Sequence, residues 1–371
     1  MPYMLRQRLT TVGSLSAIPT WRYKLPSVGS YTAFELKVDC DRYQTRANSE
    51  VVYPLEQMID KIELVEGGSR ALVSLTGSQL DALNYWTFRR PNPRMYRQEG
   101  ATGNQTSLFL MGGRDFYDTD YGYDLSRMAE TYIEYSHSID ADAAEKFDAS
   151  DHTVTLYGWR WMGTGVPTFR ALLRARQIAS WTTTGTAVLK TIPIPVGTPI
   201  RRIGIQAKTK DTSPGGTISK IELLVNNGEY SPATVTSPMH WMMQEVNDYA
   251  LHNVLSGIDY TVGVEQTDVP RWWGYMDALQ GNTYGAHTSE AVLSLGITMP
   301  ARIQNQTTGN KETLFTYSGY GFQKCLRLGF DHDRNGADLL QTAGFGSLDL
   351  ELTETAVSKD AAVFYEDILS Y

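Results

Sequence analysis

The segment Asp331-His-Asp333-Arg-Asn335-Gly336 places side-chain oxygens at alternate positions and a glycine at the turn. That is the spacing of the first half of a calcium-binding loop. The twelfth position of such a loop, where a bidentate Glu closes the cation shell, is Thr342. An incomplete shell reads as a polar turn whose Asp side chains bond their own backbone. Asp118, Asp120 and Asp124 around Gly122 give a weaker version of the same pattern. Ser136-His137-Ser138 with Asp140 holds the residue types of a hydrolytic triad, but triads are assembled in space rather than along one strand end. Glu130 and Glu134, at even spacing, point to one side of a strand. A glycosidase needs two such carboxylates, yet charged side chains on the solvent face of a strand are the commoner cause. Of the six histidines, the nearest pair in sequence, His240 and His252, is too far apart for one helical face to hold a metal. Gly112-Gly113 and Gly215-Gly216 sit in turn contexts rather than in a phosphate-binding loop. The expectation is therefore no catalytic residue, no cofactor site and no metal site.

The elements carrying these residues are mostly strands. Thr32, Phe34, Leu36, Val38 and Cys40 alternate with Ala33, Glu35, Lys37 and Asp39, the period of a half-buried strand. Ile203, Ile205 and Ala207 do the same, as do Leu348, Leu350 and Leu352. Clusters of Gly, Pro, Asn, Asp and Ser punctuate the runs, for example at Asp211 to Gly216 and Asn226 to Gly228. Helix signals are few. The clearest is Thr168 to Ser180, where Phe169, Leu172 and Leu173 would share a face and Thr168 would cap. Ser78 to Trp86 and Pro238 to Tyr249 are further candidates.

An internal repeat organises the chain. Ile59-Asp-Lys-Ile-Glu-Leu64 recurs as Ile218-Ser-Lys-Ile-Glu-Leu223, each followed by a turn containing Gly67 or Gly228. Other matches keep the same order. Val28-Gly29-Ser30 corresponds to Val196-Gly197-Thr198. Asn104-Gln-Thr106 with Leu108-Phe109 corresponds to Asn305-Gln-Thr307 with Leu314-Phe315. Tyr117-Asp-Thr-Asp120 with Asp124-Leu125 corresponds to Phe330-Asp-His-Asp333 with Asp338-Leu339, and Ile133-Glu-Tyr135 to Leu350-Glu-Leu352. The second copy is longer by 46 residues: 25 separate Leu83 from Leu108, and 71 separate Met243 from Leu314. The expected layout is an N-terminal arm (1–27), a first sandwich (28–166), a helix and linker (167–196), and a second sandwich (197–371) with an insertion at about 249–313.

Composition narrows the function classes. The net charge of −8 and the lack of a basic run argue against gripping nucleic acid, because phosphate contacts need clustered Lys and Arg. Cys40 and Cys325, far apart, read as two buried thiols in a reducing compartment rather than a disulfide framework. No run approaches the roughly 20 apolar residues of a spanning helix.

Two tandem copies of a many-stranded unit, unequal inter-strand loops and few helices suggest paired antiparallel sandwiches. In this architecture the chain resembles the double jelly-roll major capsid proteins of tailless icosahedral viruses, the lineage of adenovirus and the tectivirus-like bacteriophages. The resemblance implies an all-β fold of two eight-stranded jelly rolls with a few short helices, and a structural rather than enzymatic role. It implies a homotrimer forming a pseudo-hexagonal capsomer that meets neighbouring capsomers and minor capsid or vertex proteins. It also implies location in the virion after assembly in the host cytoplasm, and an arm at Met1 to Pro26 that reaches neighbours, genome or an internal membrane. The alternative is a two-sandwich carbohydrate-binding or glycan-hydrolysing protein.

Overall fold

A computed structural model describes residues 1–13, 15, 20–42, 55–90, 92–95, 104–139, 147–209, 214–238, 241, 252–260, 304–305, 311–319, 322–331 and 336–371. The first half contains β1 (Tyr3–Val12), β2 (Thr20–Lys24), β3 (Ser30–Arg42), β4 (Lys61–Glu66), β5 (Arg70–Leu75), β6 (Arg94–Met95), β7 (Asn104–Met111), β8 (Tyr123–Asp124), β9 (Thr131–Ser136) and β10 (Phe147–Met162). One sheet runs β1-β10-β3-β7-β6, with β8 pairing β3, and a second layer runs β5-β4-β9-β2. The alternating apolar residues meet between the layers: Phe34, Leu36, Val38, Leu108, Leu110, Val154 and Leu156 pack in one cluster with Ile62, Leu64, Val73, Leu75 and Ile133. Burying each such side chain stabilises by about 1.5–3 kcal/mol.

The second half repeats the plan with β11 (Ala171–Thr182), β12 (Leu189–Pro193), β13 (Ile200–Ala207), β14 (Ile218–Val225), β15 (Tyr230–Val235), β16 (His252–Tyr260), β17 (Gln304–Asn305), β18 (Lys311–Gly319), β19 (Cys325–Gly329), β20 (Leu348–Glu354) and β21 (Asp360–Ser370). Its layers run β19-β13-β21-β11 and β12-β20-β14-β15. They enclose a separate core of Ile203, Ile205, Ile221, Leu223, Leu326, Leu328, Leu350, Leu352 and Val363. Setting aside the short β6 and β8 and the separate sheet β16-β18-β17, each half has, among the described residues, eight strands in the jelly-roll order.

The two halves agree in register, not only in order. Ile62 lies opposite Leu75 and Tyr135, and Leu64 opposite Val73 and Ile133. Ile221 lies opposite Val235 and Leu352, and Leu223 opposite Ala233 and Leu350. The repeated Lys-Ile-Glu-Leu segments therefore occupy the same strand and face equivalent cores. Gly29 and Gly197, matched in sequence, both adopt positive φ ahead of β3 and β13, a conformation that glycine tolerates without strain.

Three sequence expectations are corrected. The segment Thr168 to Ser180 is not a helix; Ala171–Thr182 is strand β11, antiparallel to β21. Phe169, Leu172 and Leu173 are all buried, which mimics one helical face, but they are buried by different surroundings: Leu172 belongs to the first half's core and Leu173 packs with Tyr121. Second, residues 1–27 are not spent on a free arm, because β1 pairs β10 and β2 pairs β9. The same offset of 169 residues maps β1, β2 and β3 onto β11, β12 and β13. Gln7 and Arg176 both precede a bulge and lie opposite Gly158 and Tyr365, and Tyr23 and Ile192 lie opposite Ile133 and Leu350. The segments read as arm and linker are thus the first strands of the two rolls. Third, the counterpart of β7 is β19, which pairs β13 as β7 pairs β3; among the described residues β18, with Leu314 and Phe315, pairs only β16 and β17. Between Leu75 and Leu108 lie 33 residue steps, and between Val235 and Leu326 lie 91, so the second roll is longer here by 58 residues. Residues 261–303 of that insertion lie outside the described residues, as does the helix candidate Pro238 to Tyr249 apart from Pro238 and Trp241.

The helix read at Ser78 to Trp86 is α1 (Gly77–Phe88). Thr76 and Gln79 close a reciprocal capping box, and Arg89 ends the helix in the left-handed region. Every residue from Gly77 to Thr87 is buried. A helix buried all round needs partners for its polar groups. Those partners come from both rolls: Asn84 bonds the Phe109 backbone of the first, and Gln79 and Asp81 bond Gln177 and Gln323 of the second.

Candidate functional site

The residues singled out for chemistry are engaged in braces. Both carboxylate oxygens of Asp331 are taken: Oδ2 accepts from Arg201 Nε (2.8 Å) and Oδ1 from the backbone N–H of Gly336 (2.9 Å). Residues 332–335, including Asp333 and Asn335, lie outside the described residues. Asp118 accepts from the guanidinium of Arg114 and from the backbone N–H groups of Arg114, Asp120 and Tyr121. Burial alone would raise its pKa; Arg114 and the N–H donors outweigh burial and hold the carboxyl below its ordinary value. Asp118 and Asp331 lie in the same connection of the two rolls, but seven residues after β7 and two after β19 respectively. They are similar braces rather than one repeated position. Among the described residues no three metal-ligating side chains converge.

His137 is buried, its Nδ1 accepting from the backbone N–H of Ile139 (3.2 Å), and it packs edge-on against His152 at 4.3 Å between ring centroids. Ser138 Oγ donates to the Met58 carbonyl, and Asp140 lies outside the described residues. Glu130 pairs with Lys24, and Glu134 with Arg22 at 3.0 Å. Glu134 also sits opposite Glu63, which is paired to Lys61 and accepts from Ser74. The pattern is a charge-balanced outer strand face. A cavity of about 500 Å³ opens between the rolls, lined by groups that include Ser78, Ser138, Gln206, Lys208 and Lys324; among the described residues its one carboxylate is Asp60, where glycoside hydrolysis needs two.

The elaborated chemistry lies at the junction of the rolls. Strand β11 bridges in parallel to β5, with Ala175 opposite Val73 and Arg176 opposite Ser74, so two layers from different rolls form one eight-stranded sheet. Backbone bonds extend the junction: Gly122 N–H donates to the Ala171 carbonyl (3.1 Å) and Leu173 N–H to the Gly112 carbonyl (2.9 Å). From α1, Gln79 donates to Gln177 (2.7 Å) and Asp81 accepts from Gln323 (2.6 Å). Trp86 stacks on Phe364 at 5.8 Å. Thr87 accepts from Arg202 (2.6 Å), whose Nε donates to Glu366 (2.6 Å); Glu366 also accepts from Arg201 (3.2 Å). Burial would raise the Glu366 pKa, but the two guanidiniums lower it below the ordinary value. A bulge between Ile200 and Arg202 interrupts the register of β13 against β21 and lets both neighbouring Arg side chains reach one carboxylate.

Sequence reasoning missed this junction. A signal was present: Arg201-Arg202 and Glu366-Asp367 are paired charges inside strands with otherwise apolar stretches. Consecutive charges in a strand point to opposite faces unless a bulge intervenes, so their burial requires partners beyond a single sandwich.

No protein-family description matches the chain, and no curated protein does. Among solved structures the chain is similar to the major capsid protein of STIV, Sulfolobus Turreted Icosahedral Virus, with a TM-score of 0.64 at 10% identity over 100% of this chain and 97% of that one. It is similar to the major capsid protein P2 from Bacteriophage PM2, with a TM-score of 0.54 at 10% identity over 100% and 98%. It is also similar to PBCV-1 VP54, with a TM-score of 0.51 at 7% identity over 99% and 94%. Over its whole length, then, the chain has the double jelly-roll fold of these proteins.

Proposed function

We propose that the chain is a major capsid protein that self-assembles into trimeric, pseudo-hexagonal capsomers and through them into an icosahedral shell. The observation that carries this reading is the pair of complete jelly rolls, equal in strand order and register, matched end to end by capsid proteins. Two near-equal units per chain give two of six corners of a hexagon, and a threefold axis supplies the other four; a closed ring satisfies every heterologous contact. No catalytic step belongs to the reading, which is supported by the engagement of Glu130, Glu134, His137 and Asp331 in local pairs. Contact with minor capsid or vertex proteins is part of the proposal. Contact with an internal membrane through residues 1–27 is not, because β1 and β2 occupy most of that segment. Light scattering on the purified soluble protein, followed by electron microscopy under assembly conditions, tests the proposal. A three-chain mass and closed shells are expected. A single-chain mass at every concentration, or polysaccharide hydrolysis abolished by Glu130→Gln, would overturn it.

A further inference from the structure

The junction inside the chain has an open counterpart on each side. The 169-residue offset that maps β1 onto β11 carries Ala175 and Arg176 to Arg6 and Gln7. The 160-residue offset that maps β5 onto β15 carries Val73 and Ser74 to Ala233 and Thr234. Both β1 and β15 are edge strands, each with one neighbour among the described residues, whereas β11 and β5 are paired on both sides. Accessibility follows the same division. Leu172 is 2% exposed and Leu173 is buried at the junction, while their counterparts are Tyr3, 55% exposed, and half-buried Met4. Ala175 and Val73 are buried, while Arg6 is exposed and Ala233 half-exposed. Tyr230, at the start of β15, is also exposed. An edge strand with exposed apolar side chains is a template for another strand.

We propose that the free edge of β1 pairs in parallel with the free edge of β15 in a second copy of this chain, Arg6 lying opposite Ala233 and Gln7 opposite Thr234. The contact repeats between chains the β11–β5 junction made within each chain, so the eight-stranded sheet recurs with β7-β3-β10-β1 of one copy continuing into β15-β14-β20-β12 of the next. The two surfaces differ, so the contact is heterologous: each copy gives its β1 edge to one neighbour and its β15 edge to the other, and a ring closes it. The inference rests on the reading of the chain as a shell-building protein and names the strands that join its units.

The test is a pair of engineered cysteines in the full chain, Gln7→Cys with Thr234→Cys. The native Cys40 and Cys325 are buried and do not compete. After mild oxidation of the assembled protein, a non-reducing gel is expected to show chains linked in twos and threes. Neither single variant should give these bands, because the two cysteines lie on different surfaces. Gln7→Cys with Tyr230→Cys, displaced along β15 by four residues or roughly 13 Å, should not cross-link. A three-chain species that forms without cross-linking, or that cross-links equally in the displaced pair, overturns this pairing and leaves the capsid reading standing. A protein that remains a single chain at every concentration removes both.

Discussion

Acidification offers a direct probe of the first roll, through His152. This side chain is fully buried on β10, its Nε2 3.0 Å from the Tyr135 hydroxyl and its ring 4.3 Å from that of His137. Burial, and secondarily the neighbouring His137, lowers its pKa from 6.5 to about 3. In the unfolded chain the same group titrates near its ordinary value, so the unfolded state binds the proton first. The contribution of neutral His152 is therefore complete above about pH 6.5 and is lost progressively as pH falls towards 3. With about 1.4 kcal/mol per pH unit between the two values, the loss at about pH 5 is about 2 kcal/mol. The measurement is urea unfolding followed by tryptophan fluorescence on the unassembled protein, at about pH 7.5 and about pH 5, for the native chain and His152→Gln. Glutamine keeps an acceptor for the Tyr135 hydroxyl but does not titrate. The native protein should lose about 2 kcal/mol more than the variant between the two pH values. Equal losses would refute the reasoning and assign acid sensitivity to the carboxylates.

Glu366→Gln removes the charge that two buried guanidiniums share; the expected cost is about 3 kcal/mol, seen as a melting temperature lower by roughly 6–12 °C for a domain of this size. Glu130→Gln, at an exposed pair, should leave the melting temperature unchanged in the same calorimetric run. Gly204→Ala would drive a Cβ into the Phe364 ring that stacks on Trp86; overpacking of this kind costs about 1–3 kcal/mol, and adding Phe364→Leu should recover part of the lost urea midpoint. Chelator should not shift thermal melting, since both oxygens of Asp331 already bind protein donors; a drop of several degrees would mean that a bound cation stabilises the fold.

Strands that have one face in a core and one in water are legible from residue order alone. Phe34, Leu36 and Val38, or Leu348, Leu350 and Leu352, alternate because neighbouring side chains leave a strand on opposite sides, and the Lys-Ile-Glu-Leu repeat survives because equivalent cores select the same residues at the same register. From that repeat the tandem sandwiches follow. Legibility ends where two units meet, because there the burial of a strand depends on residues distant in the chain. In β11, Leu172 enters one core and Leu173 meets Tyr121, so alternation disappears and the run resembles a helical face. In β1 the polar residues Arg6, Gln7 and Arg8 hide a strand whose pairing is set by β10. The Asn-Gln-Thr tripeptides at 104 and 305 match by composition, yet β19, not β18, supplies the strand beside β13. The Arg partners of the carboxylates at 331 and 366 are not legible from the neighbouring sequence, because they are 130 and 165 residues away. A periodic pattern records the environment along one strand; it carries no record of a neighbour brought from elsewhere in the chain, and at the junction of the rolls such neighbours decide which faces are buried.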